Sequence, residues 1–303
     1  MNSKPHSFNA SVIIPSYNHK RYVCDLLDSL IGQITTAKYE IIVIDSGTDG
    51  TTSLIRSKYP AVRVLNSSAR LYPGEARDKG IQASHYEILL LTDCDCIVSP
   101  KWIDTMEKGI LSGSGIVVGP VMNGTPVNII GTTEYLLNCF DSWNHRSNKK
   151  IGPAATLNVC LTRSIYNKYG PFDSCITGED SRFFRRAQKN GETIYWYSNA
   201  RVWHRNRTNL CEFMQNQYNS GLGAARTGME FKCRNRVILE NPCLIPLIPI
   251  LKSIRIGWVL LKKATRYFPL FILLYPLLFA GLCSYSIGFA KGTSIQQIQG
   301  HQS

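Results

Sequence analysis

The stretch Leu89-Leu90-Leu91-Thr92-Asp93-Cys94-Asp95-Cys96 determines how the rest of the sequence is interpreted. An apolar run that ends in two aspartates separated by one residue is typical of a buried strand with carboxylates at its open end. In an extended chain, residues i and i+2 point the same way, which predicts that Asp93 and Asp95 share one side and the cysteines the other. Two convergent carboxylates suit a divalent cation that also binds substrate phosphates. A solvated turn after an ordinary strand explains the same residues, so the neighbouring segments must decide.

Other segments of the first half have the same organisation, an apolar strand followed by polar or acidic residues. Apolar runs predict strands at residues 10–15, 40–45 and 62–65, and apolar positions at helical spacing predict helices at residues 22–31, 51–58 and 74–83. Strands and helices that alternate with short connections are typical of an α/β domain with a largely parallel central sheet and helices on both faces. Ligands of such sheets bind outside the carboxyl ends of the strands, where Asp45, Asp93 and Asp95 are all expected.

The second half is less regular but carries two further groups of candidate residues. Strands are predicted at residues 115–121, 154–161, 193–197 and 200–203, and helices at residues 128–140 and 212–225. Gly178-Glu179-Asp180 precedes a third helical pattern, and His204 follows directly after the last predicted strand. Glu179 and Asp180 are therefore expected at a helix start, and His204 at a strand end.

Composition indicates a folded protein with reduced thiols. Of the 303 residues, 44% are hydrophobic and 18% are charged, which excludes a disordered chain. The ten cysteines include no C-x-x-C pair, which argues against a zinc ribbon or a thioredoxin-type site. Residues 1–9 form a short polar tail that does not resemble a signal peptide. We therefore expect cysteines that face the cytosol and pack as small apolar residues.

The net charge of +13 has its largest contribution in the C-terminal part of the chain. Residues 231–267 contain eight Lys and Arg against one acid, and these cations flank apolar stretches, which favours a membrane surface over a nucleic-acid groove. Residues 243–261 are apolar but contain two prolines, Lys252 and Arg255, which predicts a segment in the membrane interface. Residues 268–290 carry no charge, which predicts a transmembrane helix with the preceding cations in the cytoplasm. A helix pair buried in a larger core is the alternative.

Taken in order, these residues resemble the family 2 glycosyltransferases of the GT-A fold. The resemblance rests on five short segments: Val12-Ile13-Ile14-Pro15-Ser16-Tyr17-Asn18, Ile44-Asp45-Ser46-Gly47-Thr48-Asp49-Gly50-Thr51, Gly74-Glu75-Ala76-Arg77-Asp78-Lys79-Gly80, Leu91-Thr92-Asp93-Cys94-Asp95 and Gly178-Glu179-Asp180. Each segment alone is weak, whereas their order and spacing together are specific. The resemblance implies a catalytic domain over residues 10–230, after the polar tail of residues 1–9. Residues 231–303 would form a basic linker and C-terminal membrane-associated helices.

The resemblance also implies which residues bind the nucleotide-sugar. The base and ribose would be held by Pro15, Tyr17, Asn18 and Asp45, because a carboxylate accepts hydrogen bonds from imide N–H groups or ribose hydroxyls. The segment beside the nucleotide would contribute Gly74 and Arg77, and Asp93 would lie nearer the ribose. Two of these residues have simpler explanations that stay open: Asp45 as the cap of the following helix, and Arg77 as a surface helix charge.

A metal site and a general base are implied in the same way. Asp95 would ligate a divalent metal, Mn²⁺ or Mg²⁺, with support from Asp93 and with His204 near the metal or the diphosphate. Asp180 would be the general base of an inverting transfer, with Glu179 beside it. Glu179 and Asp180 as ordinary first-turn helix acids, and His204 as a structural histidine, are the alternatives.

These assignments predict a metal-dependent inverting glycosyltransferase that moves a single sugar from a nucleotide-sugar, with a UDP-sugar favoured. The Gln-x-x-Arg-Trp signature of processive polysaccharide synthases is absent, which favours single-sugar transfer to a glycan or lipid-linked acceptor near a membrane. We expect no nucleic-acid partner, and we expect the catalytic domain on the cytoplasmic side. A nucleotidyltransferase-like enzyme and a non-catalytic, membrane-tethered nucleotide-sugar-binding module are the alternatives.

Overall fold

The computed structural model describes residues 8–138, 149–151, 154–231 and 236–300, and the statements below refer to these residues. They divide into two compact units. The first, here the sheet unit, comprises Met1–Met122, His145–Cys175 and Glu179–His204, and the second, here the helical unit, comprises Asn123–Asn144, Ile176–Gly178 and Arg205–Ser303. Of the predicted polar tail, only Phe8 and Asn9 lie within the described residues.

The secondary structure alternates through the first half as the sequence predicts. The strands are β1 (Asn9–Ser16), β2 (Lys38–Asp45), β3 (Arg63–Asn66), β4 (Ile88–Thr92), β5 (Cys96–Val98), β6 (Ile116–Val118), β7 (Val121–Asn123), β8 (Lys149–Ile151), β9 (Asn158–Thr162), β10 (Ile194–Trp196) and β11 (Val202–His204). The helices are α1 (Val23–Ile31), α2 (Thr51–Lys58), α3 (Pro73–Ala83), α4 (Trp102–Leu111), α5 (Ile129–Asn138), α6 (Arg163–Tyr169), α7 (Glu179–Lys189), α8 (Leu210–Phe231), α9 (Arg236–Glu240), α10 (Ile248–Lys263), α11 (Phe268–Leu273) and α12 (Tyr275–Gly300). Residues 139–140, the end of one predicted helix, lie outside the described residues.

The sheet unit is built on an eight-stranded sheet in the order β3-β2-β1-β4-β9-β6-β10-β8. Strands β1, β2, β3 and β4 pair in parallel, β9 runs against both β4 and β6, β10 is parallel to β6, and β8 is antiparallel to β10. A second sheet has the order β5-β11-β7. The predicted α/β class with a mostly parallel central sheet is confirmed.

Apolar cores cover both faces of the large sheet. Alternate residues of β1 point to opposite sides, so that Val12 and Ile14 pack with α1 and α4, whereas Ile13 packs with α3 and α7. This two-sided burial explains why the strands read as continuous apolar runs. It also leaves the carboxyl ends of the strands as the places where polar side chains can collect.

Two local predictions in the sheet unit were wrong. The strand predicted over residues 154–161 begins only at Asn158. The chain is not extended through Asp93-Cys94-Asp95, because the N–H of Cys96 donates to the carbonyl of Asp93 at 3.1 Å and closes a turn. Asp93 and Asp95 therefore do not share a direction by strand alternation, although Cys94 and Cys96 are buried as expected.

Residues 268–290, for which the sequence predicted a transmembrane helix, do not form one continuous helix. That stretch is divided between α11 and α12, which are bent by 83° at the break after Leu273. Among the described residues, one helical segment is long and apolar enough to cross a membrane, Pro242–Lys263, with a mean hydropathy of 1.8. The bent pair would be a second such segment if it counted as one span. The first of these largely coincides with residues 243–261, for which the sequence predicted an interfacial position.

Helices α8 and α12 pack closely inside the helical unit. A Cβ at Gly221 of α8 would overlap the carbonyl oxygen of Tyr285, and a Cβ at Gly288 of α12 would overlap that of Tyr218. Small residues at such crossings allow two backbones to approach. Helix α8 thus lies in this unit, whereas the predicted boundary at residues 230 and 231 assigned it to the catalytic domain.

Candidate active site

The centre of the site is Arg77, on the first turns of α3. Its side chain is only 3% exposed. One guanidinium nitrogen, Nη2, donates to Asp93 Oδ1 at 2.6 Å, and the other, Nη1, donates to Glu179 Oε1 at 2.9 Å. Arg77 therefore joins the turn after β4 to the start of α7. The interpretation of Arg77 as a surface charge is wrong, and both terminal nitrogens already hold carboxylates.

Glu179 and Asp180 begin α7 beside this guanidinium. Burial, and then the charge of Asp180, raise the pKa of Glu179 to about 7, although Arg77 opposes the shift. Burial also raises the pKa of Asp180, while Arg77 and the backbone N–H groups of Ser181 and Thr156 act to lower it. Burial therefore raises the pKa of both carboxyls, a shift that makes a carboxylate a stronger general base.

A close backbone approach brings α3 to this pair. A Cβ at Gly74 would lie 2.6 Å from the carbonyl oxygen of Asp173 and 3.3 Å from the Cγ of Glu179. No larger residue fits there without displacing one of these groups. Gly74 therefore contributes by allowing α3 to reach the start of α7.

Strand pairing brings His204 to the aspartates. Strand β11 is antiparallel to β5, and His204 lies opposite Cys96 in the register. Its Nε2 is 3.5 Å from Oδ2 of Asp95, and both side chains are mostly buried. The predicted association of His204 with Asp95 thus has a geometric basis in the second, three-stranded sheet.

The three predicted metal ligands do not form one cluster. Among the described residues, no group of three or more His, Cys, Asp and Glu side chains is arranged to hold a metal ion. Asp95 and His204 lie together, whereas Asp93 Oδ1 is bound by Arg77. One carboxylate oxygen and one imidazole nitrogen fit a divalent cation such as Mn²⁺ whose remaining ligands are substrate diphosphate oxygens and water.

Asp45 is enclosed at the end of β2, with 1% of its surface exposed. Its Oδ1 accepts from the Ser16 hydroxyl at 3.0 Å and from the Gly47 N–H, and its Oδ2 accepts from the hydroxyl (2.6 Å) and N–H (3.1 Å) of Thr52. Thr52 lies in the first turn of α2, so Asp45 caps that helix. The interpretation of Asp45 as a helix cap describes this arrangement, in which Asp45 holds Ser16, Gly47 and Thr52 in place.

The loop after β1 presents more accessible groups. Asn18 has a positive φ of 58°, and its Oδ1 accepts from the Thr48 N–H at 2.9 Å, which ties the loop to the turn after β2. Tyr17 is 37% exposed, and the guanidinium carbon of Arg70 lies 4.3 Å from the centre of its ring. Pro15 lies one residue before the end of β1, opposite Ile44. An exposed aromatic ring beside an exposed cation suits a nucleotide base or diphosphate.

Two residues of this region were missed from the sequence. Arg70 lies in an irregular loop without any motif, so only its contact with Tyr17 reveals it. Asp78 accepts from the Tyr166 hydroxyl at 2.7 Å and from the Phe172 N–H at 3.1 Å, and so fixes the segment that packs against Gly74. The only hint in the sequence that Asp78 makes such contacts was a charged residue within an otherwise helical pattern.

Comparison with known proteins identifies the family of the chain. The sequence profile described as "Glycosyl transferase family 2" matches residues 11–172, more than half of the chain. A relative from Haloferax volcanii, named glycosyltransferase AglE, is 28% identical over 229 residues, which covers 72% of this chain and 74% of that protein. The mouse dolichyl-phosphate beta-glucosyltransferase is 28% identical over 113 residues, 33% of this chain and 35% of that protein.

Solved structures show the same fold at low sequence identity. The chain aligns with S. aureus TarS 1-349 in complex with UDP-GlcNAc with a TM-score of 0.57 and 16% identity, over 96% of this chain and 92% of that one. It aligns with the mannosyltransferase PcManGT from Pyrobaculum calidifontis, in complex with GDP-Man and Mn²⁺, with a TM-score of 0.59 and 17% identity, over 92% and 86% of the two chains. The fold is that of the GT-A glycosyltransferases, and the chain belongs to glycosyltransferase family 2, as the five sequence segments predicted.

Proposed function

We propose that this glycosyltransferase transfers a single sugar, with inversion, from a nucleoside diphosphate sugar to a hydroxyl group of a membrane-proximal acceptor. The observation that carries the proposal is the position of Arg77, which connects the Asp93-Asp95 turn to the carboxyls that begin α7. One residue thereby fixes the two groups that such a reaction needs, a site for the diphosphate and a base for the acceptor.

The reaction is a single displacement. The acceptor oxygen attacks the anomeric carbon, the bond from that carbon to the diphosphate oxygen breaks, and its electron pair leaves with the nucleoside diphosphate. Asp180 takes the proton of the acceptor hydroxyl, and burial raises the pKa of this carboxyl, which makes it a stronger base. A divalent cation held by Asp95 and His204 would supply positive charge to the leaving diphosphate.

The donor is assigned to the edge formed by the ends of β1, β2 and β4. Tyr17 and Arg70 provide a ring and a cation there, and Asp45 and Asn18 order the loops that support them. We favour a UDP-sugar, because the TarS structure contains UDP-GlcNAc, with a GDP-sugar as the second choice after the GDP-Man complex of PcManGT.

The acceptor is assigned to the class of lipid-linked substrates. The mouse relative is named for dolichyl phosphate, and the helical unit of this chain contains a segment apolar enough for a membrane. Such an acceptor would be glycosylated at a cytoplasmic membrane surface, and a membrane-proximal glycan is the alternative.

The test is a product assay with a matched pair of variants. The purified chain is incubated with UDP-, GDP- or dTDP-sugars, Mn²⁺ or Mg²⁺, and a polyprenyl-linked sugar whose hydroxyls can accept the transfer, after a thermal-shift screen for donor binding. Asp95→Ala is expected to abolish transfer without unfolding the chain, whereas Glu87→Ala, at a carboxylate that is 80% exposed near the opposite end of β4, is expected to retain it. Full transfer by Asp95→Ala would refute the metal assignment.

The released product separates the alternatives. A glycosyltransferase releases a nucleoside diphosphate from the nucleotide-sugar. A nucleotidyltransferase instead releases inorganic diphosphate from a nucleoside triphosphate and a sugar phosphate, which are supplied in a parallel incubation. A binding module would be stabilised by the donor and form no product. At a donor concentration of 100 times the dissociation constant, this stabilisation is about 2.7 kcal/mol in the free energy of unfolding.

A further inference from the structure

Helix α10 carries an open apolar stripe. Five large apolar residues with helical spacing are 47–64% exposed: Ile250, Leu251, Ile254, Trp258 and Leu261. Residues at these intervals lie on one side of a helix. Ile272 and Leu273 of α11, 57% and 75% exposed, extend the apolar surface beyond α10. We call these seven residues the α10–α11 face.

The opposite side of α10 is covered by its own unit. Ile256 and Leu260 are fully buried in a cluster with Phe271, Leu278 and Leu282 of the following helices. Helix α10 therefore cannot be surrounded by lipid, and only the α10–α11 face remains for another partner. A helix with one open apolar side is suited to lie along a surface rather than to cross a bilayer.

A groove runs along the same face. It has a volume of about 360 Å³, and its walls include Gly257, Trp258, Leu261, Phe268 and Tyr275. The walls are almost entirely apolar, so the groove suits hydrocarbon chains and offers little to a polar ligand.

Cations border this apolar surface. Lys262, Lys263 and Arg266 follow one another at the end of α10 and in the turn after it, and all three are exposed. The Nζ of Lys262 lies 5.1 Å from the centre of the Trp258 ring. An indole beside a row of cations is the arrangement expected where a protein meets the headgroups of acidic lipids.

The geometry of the unit disfavours a crossing. Lys252 and Arg255 lie near the middle of the Pro242–Lys263 segment, where a span would place them at the centre of the bilayer. Helix α12 packs along α8 through Gly221 and Gly288, so it could cross only together with α8, which carries Glu212, Arg226 and Glu230. The 83° bend before α12 changes the direction of the apolar stretch by nearly a right angle.

We propose that the α10–α11 face is a docking surface for one leaflet of a bilayer that contains acidic lipids, and that α10 lies along it without crossing. Trp258 and its apolar neighbours enter the leaflet, and Lys262, Lys263 and Arg266 contact lipid phosphates. The proposal concerns attachment alone and does not depend on the donor, the acceptor or the base.

Flotation with preformed vesicles tests the surface. The full chain is expected to bind vesicles that contain phosphatidylglycerol, to bind pure phosphatidylcholine more weakly, and to be released by salt. Ile254→Asp with Trp258→Asp is expected to weaken binding at least tenfold per residue, from the apolar area lost. Lys262→Glu with Lys263→Glu is expected to weaken it at least fivefold per residue on acidic vesicles only. Val127→Asp, at a 98% exposed apolar residue outside the face, is the matched control and is expected to bind normally.

A labelling experiment distinguishes docking from crossing. Lys263→Cys is treated with a membrane-impermeant maleimide in sealed inside-out vesicles, and labelling in excess of the parent chain is measured together with protease access to tags at both termini. Docking predicts that residue 263 and both termini are accessible from the same side. Protection of residue 263 or of either terminus would overturn the proposal. Equal vesicle binding by the double variant Ile254→Asp, Trp258→Asp and by the control Val127→Asp would overturn it too. Loss of turnover with intact vesicle binding would instead refute the proposed function and leave this surface standing.

Discussion

Replacement of Arg77 by methionine tests the central feature of the site. The variant leaves Asp93 and Glu179 without their shared cation. Breaking a buried ion pair by removing one partner costs about 3–5 kcal/mol. Because the Asp93 side chain is 29% exposed and can be rehydrated, whereas that of Glu179 is 8% exposed, we expect a loss of about 3 kcal/mol in the free energy of unfolding at alkaline pH.

The pH dependence of that loss identifies its cause. Glu179 in the wild-type chain has a pKa raised to about 7, and Arg77 lowers it, so the variant has a still higher pKa. As the pH falls from above both values, Glu179 takes up its proton first in the variant. The difference in the free energy of unfolding between the wild-type chain and Arg77→Met then narrows by about 1.4 kcal/mol for each unit that the pH falls. At about pH 7 the wild-type Glu179 also takes up its proton, and below that pH the difference is constant.

The assay is urea unfolding followed by tryptophan fluorescence across the neutral and alkaline range. Arg163→Met is the matched control, because Arg163 is also largely buried in the sheet unit but donates to the backbone carbonyls of Ile81, Ser84 and Tyr86. It is expected to lose stability to a similar extent at all of these pH values. If Arg77→Met lost less than about 1 kcal/mol, or lost stability independently of pH, the buried pairing would not have the strength assigned to it.

Three further predictions concern the reaction. Asp180→Asn is expected to lower kcat by a factor of 10²–10⁴ in the product assay and to retain the donor affinity, which isothermal titration measures. A wild-type rate would dismiss Asp180 as the base. His204→Ala is expected to weaken Mn²⁺ binding about 10- to 100-fold, measured by titration of the metal in the presence of the nucleoside diphosphate, and unchanged metal affinity would assign His204 a structural role. The raised pKa of Asp180 predicts that kcat/KM begins to fall at a pH above the ordinary aspartate range of about 4, because the base is then protonated, whereas a rate that stays constant down to about pH 4 would contradict this.

Local pattern was sufficient for the fold class. The apolar runs before Asp45 and Asp93 and the helical spacing between them determine buried parallel strands with crossover helices, because strand burial and helix amphipathicity are periodic in sequence. The same pattern predicted that Cys94 and Cys96 would be buried and that Asp180 would begin a helix. Short-range periodicity is also what made the five family segments recognisable.

The tertiary structure alone decided how those segments meet. The partners of Arg77 are 16 and 102 residues away, and His204 reaches Asp95 only through the pairing of β11 with β5, so neither contact leaves a local signal. The turn at Asp93 replaces the expected extended chain, because a single backbone hydrogen bond outweighs strand alternation at the end of a strand. The 83° bend between α11 and α12 lies next to Pro276, and the hydropathy of residues 268–290 contains no information about this change of direction.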